Sequence, residues 1–246
     1  PEPGDCGTAQ GTIPANNGCV RYTGRVNMTA NSAEFNWPGI VVEARFEGTS
    51  IGIEMTSVDN AWFDIYIDGT KLPTLPPPSG QSNSYNLGTL RTYASVSNYT
   101  IASGLSSGVH TFKMVKRSET NYSPIVLKNL ILDSGKKLQP LPPRSARRVE
   151  FIGDSYSAGY GVESPSKSNP NIQDASGRNC TDEELNAYTN GIKAYGPLTV
   201  ALLGVEYQLN AWSGLGMVRN YSGNTAYLPY PGYYDRILQH TEQPKY

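Results

Sequence analysis

The sequence is poor in charge, histidine and cysteine, and each shortage argues against a class of function. Only 17% of the residues are charged and the formal net charge is -1, so neither a nucleic-acid footprint nor a polybasic membrane patch is indicated. No apolar run approaches the ~20 residues that span a bilayer. The chain has 2 histidines, 3 cysteines without zinc spacing and scattered acidic residues, which predicts no metal and no other cofactor.

Glycine (25), proline (18) and tyrosine (17) are plentiful, as is typical of a turn-rich β protein. The chain starts at Pro1 without an initiator methionine, as expected if a secretion leader has been removed. Asn-x-Ser/Thr sequons also favour an extracellular protein. Glycans are expected at Asn27, Asn98, Asn121 and Asn179.

The three cysteines indicate one disulfide and one residue without an obvious partner. Cys6 and Cys19 lie close enough in the sequence to close a small loop. Cys180 is then left over, and an odd cysteine in a secreted chain indicates a bond to another segment or chain. The alternative is a buried free thiol that packs as a small apolar residue.

Residues 1–137 are predicted to form a β-sandwich of the jelly-roll kind. Ile51, Ile53 and Met55 alternate with Gly52 and Glu54, the period of two expected of a strand with one buried face. Many short strands separated by polar turns, such as Asp68-Gly69, favour two packed sheets. Strands are predicted over residues 40–46, 51–55, 62–67, 110–116 and 123–132.

A different pattern begins after this unit. Residues 138–148 are rich in proline, which removes backbone donors and restricts its neighbours, so a stiff linker is predicted. Residues 149–246 then read strand, loop, helix, strand, the opening of an α/β domain with a parallel sheet. The predicted elements are strands over 149–152 and 207–212, an interrupted helix within 186–203, and an amphipathic helix over 234–240.

Ser155 stands where a predicted buried strand meets a glycine-rich segment, in Val149-Glu150-Phe151-Ile152-Gly153-Asp154-Ser155. Open α/β sheets bind ligands at the carboxyl ends of their strands. A serine there can act as a nucleophile while backbone N–H groups, its own included, stabilise the oxyanion of acyl transfer. The alternative is that Asp154 or Ser155 only caps a helix.

The Gly-Asp-Ser stretch resembles the first block of the SGNH (GDSL) hydrolases. The stretch 209–220, Leu-Asn-Ala-Trp-Ser-Gly-Leu-Gly-Met-Val-Arg-Asn, resembles their second block, in which a glycine donates its N–H to the oxyanion. That role falls to Gly214 by its place in the block, with Gly216 as the alternative. With His-Thr-Phe-Lys-Met-Val-Lys-Arg in the first unit, nearly the whole chain is similar to carbohydrate esterase family 2.

The resemblance implies a three-layer SGNH-hydrolase domain, of which residues 149–246 form only the N-terminal part. It also implies a secreted serine esterase that removes acetyl groups from plant cell-wall polysaccharides such as xylan or mannan. The substrate would be an acetylated polysaccharide or oligosaccharide, contacted by Trp212, Tyr156 and Tyr160. Asn220, inside the second block, is expected to stay bare because a glycan there would crowd the cleft.

The family's later blocks, which carry an oxyanion asparagine and the catalytic histidine, have no counterpart before the chain stops. His110 lies in a predicted sandwich strand and His240 has the wrong spacing, so neither is expected to be the base. A C-terminal fragment of the same precursor, linked through Cys180, is the expected partner. The alternatives are an inactive truncation and a carbohydrate-binding protein with a degenerate hydrolase domain.

Overall fold

The computed structural model describes residues 6–8, 10–57, 60–85, 87–119, 123–168 and 171–245. Within these ranges, thirteen strands form two antiparallel sheets, which together are called the sandwich unit below. The strands are β1 (Thr12–Pro14), β2 (Arg21–Thr23), β3 (Asn27–Met28), β4 (Ala33–Phe35), β5 (Val41–Gly48), β6 (Ile51–Thr56), β7 (Trp62–Ile67), β8 (Thr70–Lys71), β9 (Leu90–Arg91), β10 (Asn98–Ala102), β11 (Gly108–Lys116), β12 (Ile125–Leu132) and β13 (Leu138–Gln139). The first sheet runs β10-β6-β12-β4-β3, with β1 beside β12. The second runs β13-β5-β11-β7-β8, with β2 beside β5 and β9 beside β7.

The two sheets share one hydrophobic core because their strands alternate between buried and partly exposed positions. In β6, Ile51, Ile53 and Met55 are buried while the residues between them are partly exposed. Phe46 of β5 and Phe112 of β11 extend the same core from the second sheet. The predicted antiparallel β unit is therefore confirmed, whereas its jelly-roll connectivity stays a prediction.

The hairpin between β7 and β8 shows how local sequence sets the sandwich turns. Asp68 and Gly69 both have positive φ, 51° and 77°, as the predicted two-residue turn requires. The Asp68 carboxylate then reaches the neighbouring strand, where Oδ2 lies 2.6 Å from Nδ1 of His110. His110 Nε2 lies 2.8 Å from the Ser106 carbonyl oxygen, so both ring nitrogens are engaged within the sandwich.

The second unit, called the α/β unit, follows from residue 148. Strand β14 (Arg148–Gly153) pairs in parallel with β17 (Glu206–Ala211), which agrees with the two predicted strands. The remaining elements are helices α1 (Ser155–Ala158), α2 (Asp182–Tyr188) and α3 (Tyr195–Leu203), the hairpin of β15 (Ser166–Ser168) and β16 (Asn171–Gln173), and the 3-10 turns Gly191–Lys193, Tyr221–Gly223 and Tyr230–Gly232.

The interruption predicted within 186–203 is confirmed, because Asn190 caps a 3-10 turn that separates α2 from α3. Two other details of this region differ from the sequence predictions. The helix predicted over 234–240 is wrong, since these residues form turns and bends held by local hydrogen bonds. Leu138–Gln139, at the start of the predicted linker, pair with β5 as strand β13.

The two units are joined by a buried arginine. Arg117, which directly follows β11, is 0% exposed, and its Nη1 donates to Asp64 Oδ1 of the sandwich at 3.0 Å. Its Nη2 donates to Glu163 and, at 3.1 Å, to the Ala187 carbonyl oxygen, both in the α/β unit. The Gly191 N–H donates back to the Arg117 carbonyl oxygen at 2.8 Å. One side chain thus connects both units through charge-assisted hydrogen bonds.

The α/β unit leaves apolar side chains on its surface. Leu198, Leu202 and Leu203 of α3 are 51%, 89% and 59% exposed, and Val149 and Ile152 of β14 are 38% and 40% exposed. Parallel sheets are normally covered on both faces. The described part of this sheet has two strands, and part of its apolar surface faces solvent.

The structure shows the bonding of the cysteines and the exposure of the candidate glycosylation sites. The predicted disulfide is confirmed, because Cys6 and Cys19 are bonded with their Cα atoms 5.1 Å apart. Cys180 is partly buried and takes no part in a disulfide within the described ranges. Asn98 and Asn179 are exposed and Asn27 is partly exposed, whereas Asn121 lies outside the described residues.

No helix of the described residues combines the length and apolar character required to cross a membrane. Nor do those residues contain a group of at least three His, Cys, Asp or Glu side chains that could hold a metal ion.

Candidate active site

Ser155 lies at the junction between β14 and α1. It is the first residue of this four-residue helix and is partly exposed, so its side chain is not enclosed in the core. Asp154 is the N-cap, and its Oδ1 accepts from the Tyr156 N–H at 3.0 Å. Capping therefore belongs to Asp154, and the Ser155 hydroxyl is not needed for it.

The turn into α1 is so tight that only glycine fits before Asp154. A Cβ atom at Gly153 would lie 2.0 Å from Ser157 Oγ and 2.6 Å from Ser157 Cβ. Ser157 is buried, and its Oγ lies 3.0 Å from the Tyr195 hydroxyl on α3. The glycine thus lets α1 fold back against the strand and leaves Ser155 at the strand tip.

Parallel pairing places the second motif beside the first. Gly153 and Ala211 pair at the end of the two strands, and the Trp212 N–H donates to the Gly153 carbonyl oxygen at 3.1 Å. Because both strands run in the same direction, the segments carrying Ser155 and Gly214 leave the same edge of the sheet. This edge is where open α/β sheets bind their ligands.

The two candidate oxyanion glycines differ in the state of their amides. Gly214 has φ of +83°, and its N–H has no acceptor among the described residues. The Gly216 N–H instead donates to Asn220 Oδ1 at 3.2 Å. The Asn220 amide nitrogen is itself buried and donates to three carbonyl oxygens, including that of Tyr227 at 2.8 Å, which leaves no room for a glycan.

A cleft of about 530 Å³ lies beside the second motif. Trp212 and Ser213 line it, together with residues from both units. Its aromatic lining comes from Tyr160, Trp212, Tyr227 and Tyr233, and its charged or titratable lining from Glu119, Asp182, Arg236 and His240. Aromatic faces with a few polar groups are the usual lining of a small-molecule site.

The three residues predicted to contact substrate differ in their solvent exposure. Trp212 is 8% exposed and packs edge-on against Trp37 with ring centroids 5.8 Å apart, so most of its ring belongs to the core. Tyr160 lines the cleft and is 40% exposed, and burial raises the pKa of its phenol. Tyr156 is 85% exposed on the outer side of α1.

Neither histidine of the chain offers a free basic nitrogen. In His110, Nδ1 faces Asp68 and Nε2 faces a carbonyl oxygen. In His240, which lines the cleft, Nδ1 accepts from Asn36 Nδ2 at 2.9 Å, so the proton resides on Nε2. Burial lowers the pKa of His240, which keeps the ring neutral in that hydrogen bond.

The structure adds one residue that sequence reasoning missed, Glu119. It is 9% exposed, lines the cleft, and accepts the Ser213 N–H through Oε1. Burial raises the pKa of Glu119 to about 7 and lowers the pKa of nearby Lys116 to about 7. The sequence signal that could have found it is the run Lys116-Arg117-Ser118-Glu119 at the end of an alternating strand. Charged residues at such a place usually form a solvated turn, so the run did not stand out.

Comparison with known proteins agrees with these observations. Residues 22–142 match the family model for the carbohydrate esterase 2 N-terminal domain. An acetylxylan esterase / glucomannan deacetylase of Cellvibrio japonicus (strain Ueda107) is 34% identical over 194 residues, which are 79% of this chain and 46% of that protein.

Solved structures give the same result. A family two carbohydrate esterase from Cellvibrio japonicus has a TM-score of 0.72 and 25% identity, over 96% of this chain and 62% of that one. A family two carbohydrate esterase from Clostridium thermocellum, solved in complex with cellohexaose, has a TM-score of 0.71 and 26% identity, over 90% and 59%. The chain therefore spans about half of the curated relative and about three fifths of each solved chain.

The fold and the site define a two-unit protein in which a β-sandwich is joined to an α/β unit that presents a serine and a glycine amide at one strand edge. The family model, the curated relative and the solved structures then agree on the family. The chain belongs to carbohydrate esterase family 2.

Proposed function

We propose that this chain is part of a serine esterase that removes O-acetyl groups from plant cell-wall polysaccharides such as xylan or mannan. The observation that carries the proposal is the placement of Ser155 and Gly214 at the adjoining carboxyl ends of β14 and β17. The similarity to an acetylxylan esterase / glucomannan deacetylase supports the acetylated substrate.

The chemistry follows from this arrangement. Ser155 Oγ bonds to the acetyl carbonyl carbon while its proton passes to a base. The tetrahedral intermediate then collapses, the bond to the sugar oxygen breaks, and that oxygen takes the proton. Water then bonds to the carbonyl carbon of the acetyl-serine and gives its proton to the base. The bond to Ser155 Oγ breaks, Oγ takes the proton back, and acetate leaves. The N–H groups of Ser155 and Gly214 hold the oxyanion in both steps.

Gly214 is the better oxyanion donor of the two glycines. Its N–H has no acceptor in the described part of the chain, whereas the Gly216 N–H is already bonded to Asn220. The N–H of Ser155, the first residue of α1, is one that a helix leaves without a partner of its own. Both proposed donors are thus backbone groups held by the strand pair.

The base has to come from elsewhere, because both histidines of this chain are engaged in other hydrogen bonds. We place it, with an oxyanion asparagine, on a C-terminal segment that completes the hydrolase domain. The exposed leucines of α3 and the apolar residues of β14 support this, since they offer a surface for further strands and helices. Cys180 would link such a segment if it is a separate chain.

Intact mass under non-reducing conditions tests the completing segment. We expect a second polypeptide that is released by reduction or by Cys180→Ser. A single species of 26.7 kDa after removal of any glycan, monomeric in solution, would contradict this expectation.

A second candidate function is carbohydrate binding without turnover. The observation in its favour is the state of the two histidines, because a serine without a base is a weak nucleophile at neutral pH. The aromatic lining of the cleft would serve such a protein equally well.

Hydrolysis of p-nitrophenyl acetate by the chain together with its completing segment separates the two functions. Ser155→Ala should abolish acetate release, while the matched variant Ser157→Ala, two residues further along α1, should retain most of it. If Ser155→Ala and the parent protein show the same rate, the esterase function is rejected and the binding function stands. Loss in both variants would point to damage to α1 itself and would be resolved by comparing their thermal unfolding.

We also propose that the protein is secreted and glycosylated. The disulfide between Cys6 and Cys19 supports an oxidising compartment. Asn98 and Asn179 are exposed enough to accept a glycan, and Asn27 is partly exposed. Mass analysis before and after treatment with a peptide N-glycosidase tests each site.

A further inference from the structure

A carboxyl group of the sandwich unit lies inside the cleft of the α/β unit. Glu119 follows the end of β11 by three residues and is 9% exposed. It lines the same cleft as Tyr160, Trp212 and Ser213, although these belong to the α/β unit. A buried carboxyl group is costly unless it is hydrogen-bonded, so its contacts at this position matter.

Glu119 bonds to the backbone next to the proposed oxyanion donor. Its Oε1 accepts the N–H of Ser213, the residue immediately before Gly214. The orientation of the Gly214 N–H is set by the Ser213–Gly214 peptide plane. With φ of +83° and no Cβ, Gly214 has more conformational freedom than any other residue would, so its neighbours must hold the turn.

Glu119 is itself held from the sandwich side. Arg117, two residues earlier, is fully buried between Asp64 and Glu163, and the Gly191 N–H donates to its carbonyl oxygen at 2.8 Å. The segment that delivers Glu119 is therefore anchored to both units. Because Glu119 is held in place, its hydrogen bond can fix the position of the Ser213–Gly214 turn.

We infer that Glu119 is a positioning residue of the active site, contributed by the sandwich unit, which orients the Ser213–Gly214 turn so that the Gly214 N–H points at the forming oxyanion. This inference rests on the proposed esterase function. It also means that the sandwich is a structural component of the catalytic site.

The charge of Glu119 should matter as well as its position. Burial raises the pKa of Glu119 to about 7, and the amine of Lys116 acts in the opposite direction. Tyr160 also faces it, while Asp182, Arg236 and His240 line the same cleft. Above this pKa, Glu119 is a carboxylate bonded to Ser213, the residue next to the oxyanion donor Gly214. Its negative charge then disfavours the negative charge that develops on the oxyanion. The turnover number should therefore decline as pH rises through about 7.

The first experiment needs no activity. The Ser213 amide proton is followed by nuclear magnetic resonance over a pH titration of the purified protein. In the parent protein its chemical shift should titrate with a midpoint near 7, and in Glu119→Gln, which keeps an oxygen acceptor but cannot ionise, the titration should vanish. A Ser213 amide that does not titrate, or that titrates alike in Glu119→Gln, overturns the inference.

The second experiment is kinetic and measures aryl acetate hydrolysis by the chain together with its completing segment. Glu119→Leu should lower kcat by roughly 10- to 100-fold with KM within about twofold, because a misdirected donor weakens the transition state and leaves substrate binding intact. Glu119→Gln should restore kcat at acid pH and lose the alkaline decline. The control Glu54→Gln, on β6 and bonded to Asn129, should behave as the parent.

The outcomes separate this inference from the proposed function. Equal kcat in Glu119→Leu and the parent overturns the positioning role even if Ser155→Ala is inactive. If Ser155→Ala keeps full activity, the esterase function fails, and the catalytic role of Glu119 fails with it whatever the amide titration shows. If Glu119→Leu does not fold, Glu119→Gln decides, since an unchanged pH profile there also counts against the inference.

Discussion

Replacing Arg117 with methionine should loosen the connection between the two units. The substitution keeps much of the side-chain volume but removes the cation that bonds Asp64 at 3.0 Å and Glu163 on the other side. Both carboxylates keep a lysine partner, since Lys71 Nζ lies 2.8 Å from Asp64 and Lys193 Nζ lies 2.5 Å from Glu163. The loss is therefore partial.

The expected magnitude follows from what remains buried. Removing one partner of a buried ion pair costs about 3–5 kcal/mol, and the two remaining lysines place Arg117→Met at the lower end, about 3 kcal/mol. For a chain of this size, each kcal/mol lowers Tm by about 2–4 °C, so we expect a decrease of roughly 6–12 °C.

Thermal unfolding followed by circular dichroism measures this decrease. The control is Arg148→Met, because Arg148 is 66% exposed and lies 3.7 Å from Glu206, an ion pair expected to contribute about 0–1 kcal/mol. The Arg117→Met effect should also persist in high salt, since buried pairs are screened little. If Arg117→Met lowers Tm no more than Arg148→Met does, the buried arginine does not join the units as described.

Two further predictions concern the Ser213–Gly214 turn, the proposed oxyanion donor, and the contact between Asp68 and His110 in the sandwich unit. Gly214→Ala forces a side chain onto φ of +83° and places its Cβ 2.8 Å from the Tyr227 hydroxyl, so aryl acetate hydrolysis should fall by about 100-fold; a rate near the parent's would exclude Gly214 as the donor. Asp68 accepts a hydrogen bond from His110 Nδ1 and so raises the pKa of His110. This contact stabilises the fold fully below about pH 6.5, and the stabilisation is lost as pH rises through the folded-state pKa. The Tm difference between the parent and Asp68→Asn should therefore be larger at about pH 6 than at about pH 9, and a difference that grows with pH would contradict the assignment.

The periodic and turn-rich parts of the chain were predicted well because their signals are local. The strand over 62–67 coincides with Trp62–Ile67, and the Asp68-Gly69 turn has the expected positive φ angles. The helix predicted over 234–240 failed because an apolar period can equally arise from turns whose side chains pack against another unit. Backbone groups of this segment also bond the sandwich: Trp37 Nε1 donates to the Ile237 carbonyl oxygen and the Gln239 N–H donates to Asn36 Oδ1, both at 3.0 Å.

The amino-acid sequence by itself determined the serine at the strand tip and the glycines around it, because a tight strand-to-helix turn and a positive φ admit few other residues. It also determined the disulfide of the sandwich, whose cysteines lie 13 residues apart. Only the tertiary structure decided that Glu119 meets Ser213, a contact between residues 94 positions apart. Such a contact depends on how two units pack, and packing brings together groups that no local pattern connects.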